Sequence, residues 1–259
     1  MRKLIFITAL LMSQPAFATS FDYWQTFKAT RLLRDAPSGA YCYVTGHSRV
    51  DADGAPNAYH PDDAAHPAPP HRGLDDPRNA GYPGTSWWSS VLARDPAHLS
   101  RPFVRTTGPF AGYFVSKTWL AGPGAETDPA KYVDSTKVPY IVMPGSAFAR
   151  LAGTGTRGDV GIAWNLTNGR STAFVIADQG GGSDARLGEG SIALFEALGG
   201  SNINARNGSG VAPGNVRFVV FPRSRLQMPW PTSNARIDQH ARALLTGIGG
   251  EATLAGCAP

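Results

Sequence analysis

Short runs of β-forming residues, each closed by glycine, proline, asparagine or aspartate, constrain the fold of this chain more than any other feature. Its 259 residues include 30 glycines and 21 prolines, a composition that leaves little room for long helices. The runs lie at residues 40–44, 112–116, 138–143, 160–164, 172–177 and 216–221. Because strands of this length, separated by turn residues, are typical of all-β domains, the sequence predicts a mostly β fold with long loops and a few short helices.

Local signals add a hairpin and several helices to this pattern. An Asn-Gly pair within residues 166–170 tolerates the positive φ of a tight turn between two strands. Ser191 suits the start of a short helix, and Gly199 its end. Two more helices are predicted from helical spacing of apolar residues. One lies within residues 19–38, with Phe21, Trp24, Phe27, Leu32 and Leu33, and the other ends near Gly249, with Ile237, Ala241, Leu244, Leu245 and Ile248.

The N-terminus has the order of a secretory signal peptide. Arg2 and Lys3 are charged, residues 4–12 form an apolar run, and Ala16, Phe17 and Ala18 provide a small-x-small site. We expect cleavage after Ala18, with an uncleaved anchor as the less favoured alternative, because no other stretch approaches the ~20 apolar residues of a membrane span. Residues 19–259 would then form a single domain that is secreted or periplasmic.

The charge of the chain excludes the usual nucleic-acid-binding pattern. The formal net charge is +5, the basic residues are scattered, and 42% of residues are hydrophobic against 17% charged. We therefore expect a globular protein without a nucleic-acid partner. After cleavage of the signal peptide it should have no membrane contact, and we expect a monomer. A mildly basic surface is a poor match for a cationic polymer, because like charges slow encounter.

Two cysteines, Cys42 and Cys257, lie near opposite ends of the chain. In an oxidising compartment such a pair predicts one disulfide, the alternative being two unpaired thiols. Their spacing fits neither a zinc site nor a redox pair.

Two acidic residues are candidates for catalysis. Asp178 follows a predicted strand and Glu189 precedes a predicted helix, with a glycine-rich loop between them. Hydrolysis of a glycosidic bond needs one carboxylic acid and a second carboxylate facing the same cleft. Spacing alone also fits a purely structural role, because acidic residues often cap helices and turns.

Several segments resemble, in order, those of the glycoside hydrolase family 75 chitosanases. They are DADGAPNAYHP at 51–61, GLD at 73–75, NAG at 79–81, WW at 87–88, YVDS at 132–135, VPYIV at 138–142, ADQG at 177–180 and GEGSIAL at 188–194. The resemblance implies a cofactor-free, endo-acting, inverting hydrolase of chitosan, a β-1,4-linked glucosamine polymer, with Asp178 and Glu189 as its essential carboxylates. Gly181 stands where the family usually has proline, which bears on loop shape and substrate preference.

The resemblance also carries expectations about geometry. For an inverting enzyme the two carboxyl groups should lie roughly 6.5–9.5 Å apart. We expect Glu189 to be the general acid and Asp178 the base, with the reverse assignment open. The strand pattern around residues 138–145 is also similar to that of the double-psi β-barrel, which implies a small closed barrel with residues 46–110 forming a wall of the cleft.

Other residues are candidates for substrate binding. Asp53, Tyr59 and His60 could line the cleft, and an acidic residue there would suit an amino sugar. Trp87 and Trp88 could stack on sugar rings, one of them lying in the core instead. Tyr140 has the same two alternatives, with core packing favoured.

No metal site is predicted. Asp51 and Asp53 resemble the opening of a calcium loop, but position twelve is Asp62 rather than glutamate, which favours a tight acidic turn. The spacing of His60, His66 and His71 matches no metal-ligand set, so we expect them to be loop residues.

Two other functions are compatible with the sequence. The same carboxylate pair could hydrolyse peptidoglycan or another wall glycan. Alternatively, the domain could be a wall-polysaccharide binding module without turnover.

Overall fold

A computed structural model describes residues 20–63, 65, 68, 70–149 and 151–258. The expected signal peptide at 1–18 and His66 lie outside the described residues. The strands are β1 (Asp22–Phe27), β2 (Thr30–Arg34), β3 (Tyr41–Thr45), β4 (Arg49–Asp51), β5 (Arg94–Asp95), β6 (His98–Pro102), β7 (Tyr140–Pro144), β8 (Val160–Asn165), β9 (Ser171–Gly180), β10 (Glu189–Ser191) and β11 (Val216–Phe221). The helices are α1 (Trp88–Val91), α2 (Ser146–Ala149), α3 (Ile192–Ala197) and α4 (Asn234–Gly247), and 3-10 turns lie at Pro77–Ala80, Pro129–Lys131, Ser224–Gln227 and Glu251–Gly256.

One large sheet organises the described chain. Nine strands follow the order β1-β2-β3-β11-β8-β9-β7-β10-β4, and β5 and β6 form a separate ribbon. Most neighbours are antiparallel, but β7 pairs with β9 and β10 with β4 in parallel. The prediction of a mostly β fold is confirmed. The order of pairing runs from one edge strand, β1, to another, β4, and no closed barrel is found among the described residues.

The sheet is buried on both faces, which explains why its central strands read as continuous apolar runs. All six residues of β8 are buried. Ile162 packs in a cluster that α4 covers, and Ala163 packs in a second cluster on the opposite face. The second cluster is aromatic, with the rings of Tyr43 and Phe218 stacked at 5.0 Å.

The predicted helix within residues 19–38 is wrong, because this segment forms the β1–β2 hairpin. Lys28 and Ala29 make its two-residue turn, both with positive φ, as primed hairpin turns require. Leu33 packs in the cluster beneath α4 and Leu32 in the opposite one. The apolar residues are therefore divided between two faces, and pairing of β2 with β3 overrides their helical spacing.

Five of the six predicted strands are confirmed, as β3, β7, β8, β9 and β11. The strand predicted at 112–116 is wrong, since only isolated bridges occur there. Successive backbone groups in this segment bond to different loops: Phe114 N–H to Tyr59, and Val115 C=O to Ala93. A segment that changes partner at each residue cannot form a ladder.

The remaining local predictions are confirmed. The loop at 166–170 joins β8 to β9 as an antiparallel hairpin, and Ser191 caps α3 by accepting the N–H of Leu194 at 3.1 Å. Helix α4 ends at Gly247. Cys42 and Cys257, which are 215 positions apart in the sequence, form a disulfide that ties the end of the described chain to β3.

Within the described part of the chain, no helix has both the length and the apolar character to span a membrane.

Candidate active site

Strand pairing brings the two candidate catalytic carboxyls to the same level of the sheet. Asp178 on β9 lies opposite Val142 of β7. On the other side of β7, Gly190 lies opposite Ile141 in an antiparallel pair, so that Glu189 comes level with Val142. Two strand spacings of roughly 4.8 Å put the β9 and β10 backbones roughly 10 Å apart. Both side chains open into one cleft of about 410 Å³.

A tight turn after β4 adds two more acids to this cleft. Asp51 accepts the backbone N–H of Asp53 at 2.9 Å, as expected for an acidic turn. Gly54 has a φ of +76°, and a Cβ there would collide with the backbone carbonyl of Val133. Only glycine fits this position, and the turn that it permits directs Asp53 inward.

Asp53 is fixed by hydroxyl groups from two other loops. One of its oxygens accepts hydrogen bonds from the Tyr59 hydroxyl at 2.8 Å and the Ser116 hydroxyl at 2.9 Å. Carboxylate oxygens of Asp51, Asp53 and Asp178 all lie within 4.8 Å of one another. Two acids of the turn after β4 and one acid of β9 therefore meet at the base of the cleft.

Five carboxyl groups line this acidic cleft, which we define by Asp51, Asp53, Asp75, Asp178 and Glu189. Burial, followed by the charge of Asp51, raises the pKa of Glu189 to about 7. Burial also raises the pKa of Asp51 to about 6. For Asp53 and Asp178, burial and then neighbouring carboxylates raise the pKa well above its usual range. The cluster therefore retains protons near neutral pH.

The local environments of Asp178 and Glu189 differ. Asp178 Oδ1 accepts backbone N–H groups from Trp119 at 3.1 Å and Gln179 at 2.7 Å, and such bonds stabilise the ionised form. Glu189, whose side chain is 16% exposed, faces the largely exposed Arg49 at 3.4 Å. Two backbone donors therefore oppose the rise in the pKa of Asp178, and one largely exposed guanidinium group opposes that of Glu189. The pKa of both carboxyl groups is raised, so the assignment of Glu189 as acid and Asp178 as base stays a prediction.

Three of the predicted substrate-binding residues line the acidic cleft: Asp53, Tyr59 and Trp87. The Trp87 side chain is 48% exposed. Trp88 is outside the lining and packs on an apolar cluster that includes Tyr59. Tyr140 is fully buried and donates its hydroxyl to the backbone carbonyl of Asp53 at 2.9 Å, so it supports the acidic turn from below.

His60 lies apart from the acidic cleft. Its ring is buried against Tyr113 and His71, with ring centroids 4.9 and 5.0 Å away. Ligand atoms of His60, Asp62 and His71 lie within 4.8 Å of one another, a grouping that their sequence spacing does not reveal. His60 Nδ1 accepts the backbone N–H of Asp62 at 3.1 Å, so hydrogen bonding within the loop already uses one ring nitrogen.

Sequence reasoning missed Asp75 and the cleft-lining role of Asp51. Asp75 accepts the side-chain N–H of Asn79 at 2.8 Å, which fixes its carboxylate in a turn. Both acids lie in segments that carry the family resemblance, and that was the one sequence signal that could have marked them.

No family model matches this chain, and no curated protein matches its sequence.

Proposed function

We propose that this protein is a secreted or periplasmic glycoside hydrolase that cuts chains of β-1,4-linked glucosamine with inversion. The observation that carries the proposal is the placement of Asp178 and Glu189 on opposite sides of β7, level with each other and opening into one cleft. A backbone separation of roughly 10 Å leaves room for the side chains to approach a sugar and a water molecule from two sides.

In the proposed reaction, protonated Glu189 donates its proton to the glycosidic oxygen as the bond to the anomeric carbon breaks. Asp178 removes a proton from a water molecule that attacks the same carbon from the opposite face. The new hemiacetal has inverted configuration, and the two carboxyl groups regain their starting states by exchanging protons with solvent. No cofactor is required.

The charge of the cleft supports an amino-sugar substrate. Five carboxyl groups face two guanidinium groups, those of Arg49 and Arg78, and Arg78 is already paired with Asp76. The chain as a whole carries +5, but charges beyond a Debye length of about 8 Å are screened at physiological salt. An ammonium group inside the cleft therefore meets the carboxylates that stay ionised and the acceptor oxygens of the protonated carboxyls, while the basic surface is screened.

Two further features fit a polysaccharide. The exposed ring of Trp87 at the cleft provides a surface on which a pyranose can stack. We also propose that the sheet closes into the expected barrel, because only residues 46–48 separate β3 from β4, which lies at one edge of the strand order. Both points are in keeping with the resemblance to glycoside hydrolase family 75.

The test is release of reducing ends from soluble chitosan by the mature protein. We expect Asp178→Asn and Glu189→Gln each to lower kcat by about 10²–10⁴-fold, the contribution of a positioned acid or base. Asp184→Asn, an exposed acid in the same glycine-rich loop, is the matched control and should retain activity. Peptidoglycan serves as the parallel substrate. Unchanged turnover in both cleft variants, or no cleavage of chitosan by the wild type, would refute the proposal.

A further inference from the structure

A second cavity of about 480 Å³ adjoins the acidic cleft. Ser90, Asp178 and Gln179 line both, so Asp178 stands at the junction of the two spaces. A polymer lying across Asp178 would therefore extend into the acidic cleft on one side and into the second cavity on the other.

The second cavity differs from the acidic cleft in charge. We call it the lysine cavity and define it by Lys117, Trp119, Glu126, Lys131 and Tyr132. Lys117 Nζ forms an ion pair with Glu126 at 2.7 Å, so the charges of these two side chains offset each other. Lys131 Nζ donates to the backbone carbonyl of Gly124 at 3.0 Å, a neutral partner that leaves its positive charge to act on the cavity.

The rings of the lysine cavity favour a less polar sugar unit than glucosamine. Trp119 is half-buried, and its backbone N–H bonds Asp178, which holds this residue beside the proposed site of cleavage. Tyr132 is largely buried and donates its hydroxyl to the backbone carbonyl of Glu126 at 3.0 Å. An acetamide group offers a methyl group for such rings and a carbonyl for an ammonium donor, whereas a free ammonium group would meet repulsion from Lys131.

We propose that the lysine cavity binds an N-acetylated glucosamine unit of the chain whose neighbouring glucosamine unit occupies the acidic cleft. This inference rests on the proposed function and specifies its substrate as a partly acetylated polymer. It makes cleavage directional: one new chain end carries N-acetylglucosamine, and the other carries glucosamine.

The experiment is digestion of a chitosan with about equal numbers of the two units, in ¹⁸O-labelled water, which marks each new reducing end. Mass spectrometry of the fragments then gives the composition of both new ends. We expect one end to be enriched in N-acetylglucosamine. Lys131→Gln should reduce this enrichment by about two- to fivefold, the effect of removing one solvent-accessible charge interaction.

Two variants serve as controls. Lys131→Arg keeps the positive charge and should keep the enrichment, whereas Lys137→Gln removes a lysine that is 74% exposed and outside both cavities, and should change nothing. Equal composition of the two ends, or unchanged enrichment in Lys131→Gln, overturns the inference. In either case chitosan is still cut, which separates this failure from that of the proposed function, where the wild type cuts no chitosan of any acetylation.

Discussion

Glu189 shows how single residues around the acidic cleft set its protonation. Burial and Asp51 raise its pKa, and Arg49, at 3.4 Å, opposes them by favouring the ionised form. A general acid works only while it is protonated, so activity should fall as pH rises through about 7. The side chain of Arg49 is 58% exposed, and solvent therefore screens its effect.

Removing Arg49 should move the alkaline limb of the pH profile upward. In Arg49→Gln the ionised form of Glu189 loses its positive neighbour, its pKa rises, and kcat/KM should stay high to a pH several tenths of a unit above that of the wild type. The measurement is kcat/KM on soluble chitosan from pH 4 to 9. Arg101→Gln, an exposed arginine paired with Asp95 away from the cleft, should leave the profile in place. A downward shift in Arg49→Gln would contradict the assignment of Glu189 as acid.

For single residues, the sequence predicted which acids line the cleft better than it predicted where the aromatic and histidine side chains point. Asp53 was expected at the cleft and lines it, and Asp178 and Glu189 open into the same space. Tyr140 lies beneath the acidic turn and His60 in another pocket, because loop packing decides where a side chain points. Such packing depends on distant contacts, for example the bond from Ser116 to Asp53, which no local pattern encodes.

Strands and helices followed the sequence where local preference and long-range pairing agree. The run at 216–221 is β11, and Ser191 begins α3. Near the N-terminus, local preference and long-range pairing conflict. The spacing of Trp24, Phe27 and Leu32 favours a helix, but the segment instead forms a hairpin because β2 pairs with β3. A long-range partner can be seen only in the fold, which is why this hairpin escaped sequence analysis.

The β1–β2 turn offers a test of this competition. Ala29 has a φ of +66°, a conformation that costs a residue with a Cβ about 1 kcal/mol. Ala29→Gly should therefore raise the free energy of unfolding by about 0.5–1 kcal/mol, despite the greater flexibility of glycine in the unfolded chain. Chemical denaturation measures it. Ala97→Gly, in the turn between β5 and β6 without a positive φ, is the control and should be neutral or destabilising. A loss of stability in Ala29→Gly would argue against the hairpin.

At the scale of the whole molecule, the acidic cleft and the disulfide lie on different strands of one sheet and share the apolar cluster beneath α4. Asp178 and Glu189 project from β9 and β10, whereas the disulfide joins β3 to the segment that follows α4. Arg217 on β11 donates to the backbone carbonyl of Cys257 at 2.8 Å, which adds a second tie at the same place. Because neither tie involves a carboxyl group of the acidic cleft, stability and the proposed catalysis should be separable by mutation.

Removing the disulfide should cost stability without altering the chemistry. Closing a loop of 215 residues restricts the unfolded chain strongly, and the double variant Cys42→Ala/Cys257→Ala should lose about 2–5 kcal/mol of unfolding free energy. Denaturant titration measures the loss. At denaturant concentrations too low to unfold the double variant, its kcat on chitosan should match that of the wild type. The β7–β9 and β7–β10 pairs that position the carboxyls remain intact. A kcat that falls in proportion to stability would mean that α4 and its cluster also hold the acidic cleft in shape.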